Sequence, residues 1–290
     1  MFATALAAFE RTLVAGNTPG AHAPAALGVA LLPLSKPATP AVLYNAELVF
    51  PAASTIKTFL LHALLADAQA GTLSLTEQYV VQPSDLVGGS GVMKTLSPGQ
   101  SWTLLDIATL MIIVSDNTAT NIIFERVGRA RFHEVAHSYG WTHTFMPRKL
   151  MLANPEPSPA GFPPASQTTP LDLAQHFAKL WQGELLDETH TNIAKRIYLQ
   201  QQYLTLGRLL DYEGSNADEN TFLIGSKTGS IDGVRHDSGI FCLPNEPYEP
   251  LYAVAIMTKG CDDNRYVPDN RGGLVVSEVS KFLFEWYQQE

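Results

Sequence analysis

Leu48-Val49-Phe50-Pro51-Ala52-Ala53-Ser54-Thr55-Ile56-Lys57-Thr58-Phe59-Leu60-Leu61-His62-Ala63-Leu64-Leu65, residues 48–65, changes character in its middle. The first part, Leu48 to Ala53, is a strand-like or extended lead-in. The second is apolar at Phe59, Leu60, Leu61, Ala63, Leu64 and Leu65 and reads as a helix carried to about Gly71. Ser54 stands at the junction. In a first helical turn its backbone N–H is one of the donors left without an intrahelical partner, where partial positive charge gathers. Lys57, three residues on, falls on the same face, within reach of the Ser54 hydroxyl. Such a lysine can serve as a base if burial or neighbouring cations depress its pKa. A hydroxyl, an amine and an outward N–H at one helix start are three of the parts nucleophilic catalysis requires.

A Ser-x-x-Lys tetrad alone recurs by chance about once in a chain of this length. Two further motifs follow it in order. Ser115-Asp116-Asn117 closes the apolar helical run 104–114 and opens another at 117–124, where Ser115 or Asp116 would also serve as a helix cap. Lys227-Thr228-Gly229 follows the β-rich run 221–226, which puts Lys227 and Thr228 near the end of a strand and Ser230 one step beyond it. A strand edge there can align a substrate amide.

In this order the three motifs resemble those of class A β-lactamases and penicillin-binding proteins. The resemblance covers the chain from about Leu27 to its end. It implies an α+β fold in which a five-stranded antiparallel sheet flanked by helices is joined by an inserted all-helical part. It also implies an acyl-enzyme at Ser54. By resemblance Lys57 is the base, and Ser115 relays a proton to the leaving group with help from Lys227. The N–H groups of Ser54 and Ser230 hold the oxyanion, Asn117 holds the substrate's amide, and Thr228, Gly229, Ser230 and Arg235 form the pocket, with a carboxylate against Thr228, Ser230 and Arg235. No cofactor is expected, and no metal, because the histidines show no ligand spacing with carboxylates or cysteines. The substrate class is a β-lactam hydrolysed at its amide. The alternatives are an esterase or D,D-peptidase of the same superfamily, or a protein that binds β-lactams covalently without being an enzyme.

The chain departs from class A in the segment 143–169. Pro147, Pro155, Pro157, Pro159, Pro163 and Pro164 rule out a continuous helix there and predict a long packed loop. In class A enzymes this Ω-loop carries a Glu that activates the deacylating water. The matching stretch, Arg148-Lys149-Leu150-Met151-Leu152-Ala153-Asn154, has no Glu, and Glu156 is the nearest carboxylate. Slow deacylation is the expected consequence.

Element order agrees with the resemblance. A first helix within 1–15 precedes strands at 27–32 and 41–44, helices dominate from 54 to about 139, and a second helical block runs from Pro170 to about Leu210. Three strands and a closing helix at about 274–289 follow. The sheet part is therefore expected at about 1–53 and 211–290, with the helical part at about 54–210, in a single catalytic domain. Arg235, His236 and Asp237 read either as hairpin charges or, for Arg235, as a bidentate carboxylate fork. His133 and His137 read as a solvated helix face rather than as zinc ligands.

With 46% hydrophobic residues among 290, the chain can bury a large core. A net charge of −9 without a basic run argues against nucleic acid. No apolar stretch reaches the roughly 18–20 residues a membrane helix needs, and residues 1–15 lack the pattern of a secretory signal. The expectation is a monomer in the cytoplasm, or in the periplasm or medium if a leader has been removed. Cys242 and Cys261 fall at opposite ends of a hairpin, beyond the limit of about 7 Å for a bridge.

Overall fold

The computed structural model describes residues 2–14, 24–155, 157–210, 222–244 and 248–290. Ala15, Glu156, Thr221 and Asn245-Glu246-Pro247 lie outside the described residues. In chain order the elements are α1 (Phe2–Arg11), β1 (Ala26–Pro33), β2 (Val42–Tyr44), β3 (Phe50–Pro51), α2 (Lys57–Gln69), β4 (Gln78–Val80), β5 (Ser101–Thr103), α3 (Leu104–Ile113), α4 (Asn117–Val127), α5 (Arg129–Ser138), β6 (Gln167–Thr168), α6 (Pro170–Trp181), α7 (Glu188–Leu199), β7 (Leu223–Ile231), β8 (Val234–Cys242), β9 (Pro250–Lys259) and α8 (Arg271–Gln289). Two compact units emerge. One comprises Met1–Thr55, Thr168–Lys179 and Leu204–Glu290; the other comprises Ile56–Gln167 and Leu180–Tyr203.

The first unit is built on a five-stranded antiparallel sheet of order β2-β1-β9-β8-β7. Alternation along β1 sends Leu27, Val29 and Leu31 into the core shared with Val254 and Ile256 of β9. Helix α8 covers that face with Val275, Val276, Val279, Leu283 and Tyr287, an apolar stripe at helical spacing. Asn270 caps α8, its Oδ1 accepting the Gly273 N–H at 3.1 Å. The other face is covered as well. A Cβ on Gly28 would stand 2.6 Å from the Phe50 ring and 2.7 Å from Pro170, so only glycine lets these residues lie on the sheet. β7 is an edge strand, and Ser230 lies inside it rather than beyond its end.

The second unit is helical, with β4 and β5 as a small antiparallel pair. Helix α2 is buried on nearly every side, from Lys57 through Leu65, as a helix at the centre of a bundle must be. It ends at Gln69, about where its apolar run stops. The block expected from Pro170 to about Leu210 is two helices that end at Leu199, because residues 182–187 break it and 200–210 form turns. Thr169 starts the first, accepting the Asp172 N–H at 3.0 Å just ahead of Pro170. The His133/His137 reading needs correction. His137 is exposed, but His133 is buried among Phe132, Phe145 and Phe162, with its Nδ1 2.8 Å from the Arg129 carbonyl and its Nε2 accepting the Met146 N–H. It is a core histidine that ties α5 to the loop beyond it. Cys242 and Cys261 are both free and buried.

Candidate active site

Ser54 sits in a 3₁₀ turn, Ala53–Ile56, that runs straight into α2, so Lys57 is the first α-helical residue rather than a second-turn one. The turn is sharp. Ala53 has φ +46°, a left-handed conformation that costs an ordinary residue about 1–2 kcal/mol. Thr55 holds the turn closed, its N–H and hydroxyl both donating to the Ala52 carbonyl at 3.0 and 2.6 Å. Ser54 itself is only half-buried, as a nucleophile must be.

In the helical unit Lys57 is fully buried and its Nζ lies 2.7 Å from the Ser115 carbonyl, 3.1 Å from Ser115 Oγ and 2.9 Å from Asn117 Oδ1. The first motif's amine and the second motif's hydroxyl thus share one cluster. Ser115 also has a positive φ, +53°, which turns its carbonyl back onto Lys57. The cap of α4 is Asp116: Oδ1 accepts the Ala119 N–H, while Oδ2 accepts the N–H groups of Val92 and Met93 at 2.7 and 2.8 Å. Asn117 Nδ2 donates to the Gly88 carbonyl, and the Thr118 hydroxyl accepts the Val87 N–H. The start of α4 therefore fixes the loop 87–93. A Cβ on Gly91 would lie 2.3 Å from the Asp116 carboxyl, and one on Gly89 2.5 Å from Asn117 Nδ2.

In the sheet unit the third motif lies on β7 opposite β8, with Lys227 paired to Ser238, Thr228 to Asp237, Gly229 to His236 and Ser230 to Arg235. Lys227 is fully buried and donates to the Thr228 carbonyl at 2.8 Å. Burial lowers its pKa to about 7, against the pull of the Asp237 charge. Burial likewise raises Asp237 to about 7, although its Oδ2 accepts the N–H groups of Thr205 and Leu206, both at 2.9 Å. Arg235, His236 and Asp237 are strand residues, not turn charges. The Arg235 guanidinium donates to the carbonyls of Ile231, Val234 and Arg265 at 2.6–2.7 Å and lies under the Tyr266 ring at 4.7 Å. Three of its N–H groups are thereby committed to carbonyls.

The loop that follows α5 is closed at its neck by a pair of hydrogen bonds between Phe145 and Gln167, at 2.9 and 3.0 Å. Within it, Asn121 of α4 grips Leu150 by both backbone groups: Nδ2 donates to the Leu150 carbonyl at 2.9 Å and Oδ1 accepts its N–H at 2.7 Å. Asn121 is one helical turn past Asn117, so the clamp lies on the Asn117 face of α4. Leu150 is thus the loop residue that α4 holds by its backbone, and its side chain bears no carboxylate. The clamp has no signature in the sequence beyond an Asn at that spacing. Among the described residues, no three His, Cys, Asp or Glu side chains gather where a metal could sit, and no helix is long and apolar enough to cross a membrane.

The beta-lactamase enzyme family matches residues 13–287. The β-lactamase AER-1 of Aeromonas hydrophila is 33% identical over 145 residues, 49% of this chain and 46% of that protein, so the chain spans just under half the length of this relative. Solved structures match more fully. The β-lactamase of Sphaerobacter thermophilus is 27% identical with a TM-score of 0.81, covering 99% of this chain and 97% of that one. A leucine-to-glutamate mutant of PBP-A, held as an acyl-enzyme with penicillin G, is 26% identical with a TM-score of 0.75, covering 99% and 97%.

Proposed function

The chain belongs to the beta-lactamase enzyme family, and from that footing we propose that it is a serine hydrolase that opens β-lactams onto Ser54 and releases the product slowly. Ser54 Oγ attacks the ring carbonyl, and its proton passes to Lys57. The ring C–N bond breaks, and the nitrogen takes a proton relayed by Ser115 with help from Lys227. Water then cleaves the ester and restores the serine. Around the substrate, the N–H groups of Ser54 and Ser230 stabilise the oxyanion and Asn117 orients the amide. Thr228, Ser230 and the positive charge of Arg235 attract the carboxylate, and Gly229 keeps the strand close.

The observation that carries this reading is the convergence of Lys57 Nζ on Ser115 Oγ and Asn117 Oδ1, one turn after Ser54. A Lys227 pKa near neutrality supports a proton-carrying role, because a group poised near the working pH both takes and gives up a proton readily. The absence of a carboxylate from residues 148–154, with Leu150 in the Asn121 clamp, supports slow ester hydrolysis. That same feature favours a second reading, a penicillin-binding protein whose acyl-enzyme is the end point; the PBP-A mutant resembling this chain was solved as an acyl-enzyme with penicillin G. The two buried free thiols fit a reducing compartment, the cytoplasm.

Intact mass after mixing with benzylpenicillin tests the proposal. The expected result is a whole-drug adduct lasting minutes or longer with slow steady-state hydrolysis, and no adduct on Ser54→Ala. Labelling that persists on Ser54→Ala overturns the assignment. Rates with nitrocefin and p-nitrophenyl acetate separate a lactamase from an esterase.

A further inference from the structure

The segment 49–55 that leads into Ser54 lies on the sheet, and four adjacent strands each meet it. On β1, Gly28 leaves the space that the Phe50 ring fills. From β9, Lys259 Nζ donates to the Val49 carbonyl at 2.8 Å and sits 4.8 Å over the Phe50 ring. From β8, His236 Nε2 lies 2.8 Å from the Pro51 carbonyl, with its ring edge-on to Phe50. On β7, a Cβ at Gly229 would stand 3.1 Å from both the Ala52 carbonyl and the Thr55 nitrogen. The segment is thus strapped down immediately before the left-handed Ala53 and the nucleophile.

The partners of His236 define its proton. The Pro51 carbonyl can only accept, so Nε2 carries the hydrogen; the Thr258 N–H, 3.1 Å from Nδ1, can only donate, so Nδ1 does not. The Arg235 carbonyl, 2.9 Å from the same Nδ1, is occupied instead by the Thr258 hydroxyl at 2.8 Å. His236 is 2% exposed, and every polar atom of its ring has a role. A left-handed alanine persists only when its surroundings over-determine it, and His236 supplies the hydrogen bond nearest to it from the sheet.

We infer that His236 is a positioning residue for the nucleophile, whose bond to the Pro51 carbonyl sets where Ser54 stands for attack on a bound acyl group. The inference rests on Ser54 being the nucleophile. Displacing a reacting atom by about 1 Å can cost about a hundredfold in rate while leaving binding alone, so the effect belongs in acylation.

Stopped-flow acylation by a fluorescent penicillin separates the non-covalent binding constant from the acylation rate constant. His236→Met, similar in bulk but without the donor, should lower the rate constant by about tenfold or more with the binding constant within about twofold. His236→Gln, whose Nε2 can still donate to Pro51, should stay within about threefold of wild type. Should His236→Met fail to fold, Lys259→Met cuts the strap at Val49 and should show the same split. On the unaltered protein, nitrogen NMR of the histidines should report the Nε2–H tautomer for His236. A wild-type acylation rate in His236→Met, or in Lys259→Met where that variant stands in, overturns the inference. So does an equal loss in His236→Gln and His236→Met, or an Nδ1–H tautomer. If the wild-type protein is not labelled at Ser54 at all, it is the nucleophile assignment that has failed.

Discussion

Acid should weaken this fold by an amount assignable to one histidine in the core of the helical unit. His62 of α2 is 2% exposed and packs against Tyr139 and Trp141, with ring centroids 5.0 and 5.8 Å away. Burial, reinforced by the Arg131 charge, lowers its pKa from 6.5 to about 4, and an interaction with the Leu185 carbonyl opposes the shift only in part. Below pH 6.5 the unfolded chain therefore binds a proton that the folded chain refuses, and stability falls as pH falls until about pH 4. Taking 6.5 and about 4 as the two pKa values, the loss between pH 7 and pH 5 is about 2 kcal/mol, because each unit of difference is worth about 1.36 kcal/mol. His62→Phe keeps an aromatic ring in the site and removes the titration. Urea unfolding followed by circular dichroism at pH 7 and pH 5 should show wild type losing about 2 kcal/mol more than His62→Phe. The buried His236, also lowered to about 4, titrates in both proteins and cancels in the difference. A difference under about 0.5 kcal/mol would mean that His62 is solvated or already charged in the fold.

Three further outcomes follow from the site. Lys57→Ala should slow acylation at least about a hundredfold, the usual contribution of a general base, and an unchanged stopped-flow rate would move the base elsewhere. Leu150→Glu puts a carboxylate on the loop residue whose backbone Asn121 holds and should shorten the lifetime of the penicillin adduct by about a hundredfold or more, read by intact mass against time; an equally long-lived adduct would show that the loop does not deliver that side chain to the ester. Asp116→Ala removes the α4 cap and the acceptor for the Val92 and Met93 N–H groups, and should cost about 3 kcal/mol or more in urea unfolding. A cost below about 1 kcal/mol would mean that water replaces the carboxylate.

Much of this protein is legible in its sequence, because the features concerned are local. The change from an extended run to an apolar helical run around Ser54, the apolar periods of α3 and α8, and the Pro-rich composition of residues 143–169 express their structure within a few residues. The missing Glu in 148–154 is likewise visible by inspection. The tertiary structure decided matters that depend on pairs far apart in the chain. His236 meets Pro51 across 185 positions, Asn121 meets Leu150 across 29, and His133 is buried because Phe145 and Phe162 fold back over it. It also decided conformations that local preference opposes: the positive φ of Ala53 and Ser115 would be read from propensity as helix or strand, and only the surrounding hydrogen bonds hold those residues where their neighbours require them. Sequence periodicity records which face of an element is apolar; it carries no record of which distant polar group meets it, and the acid–base chemistry of this protein is set by those meetings.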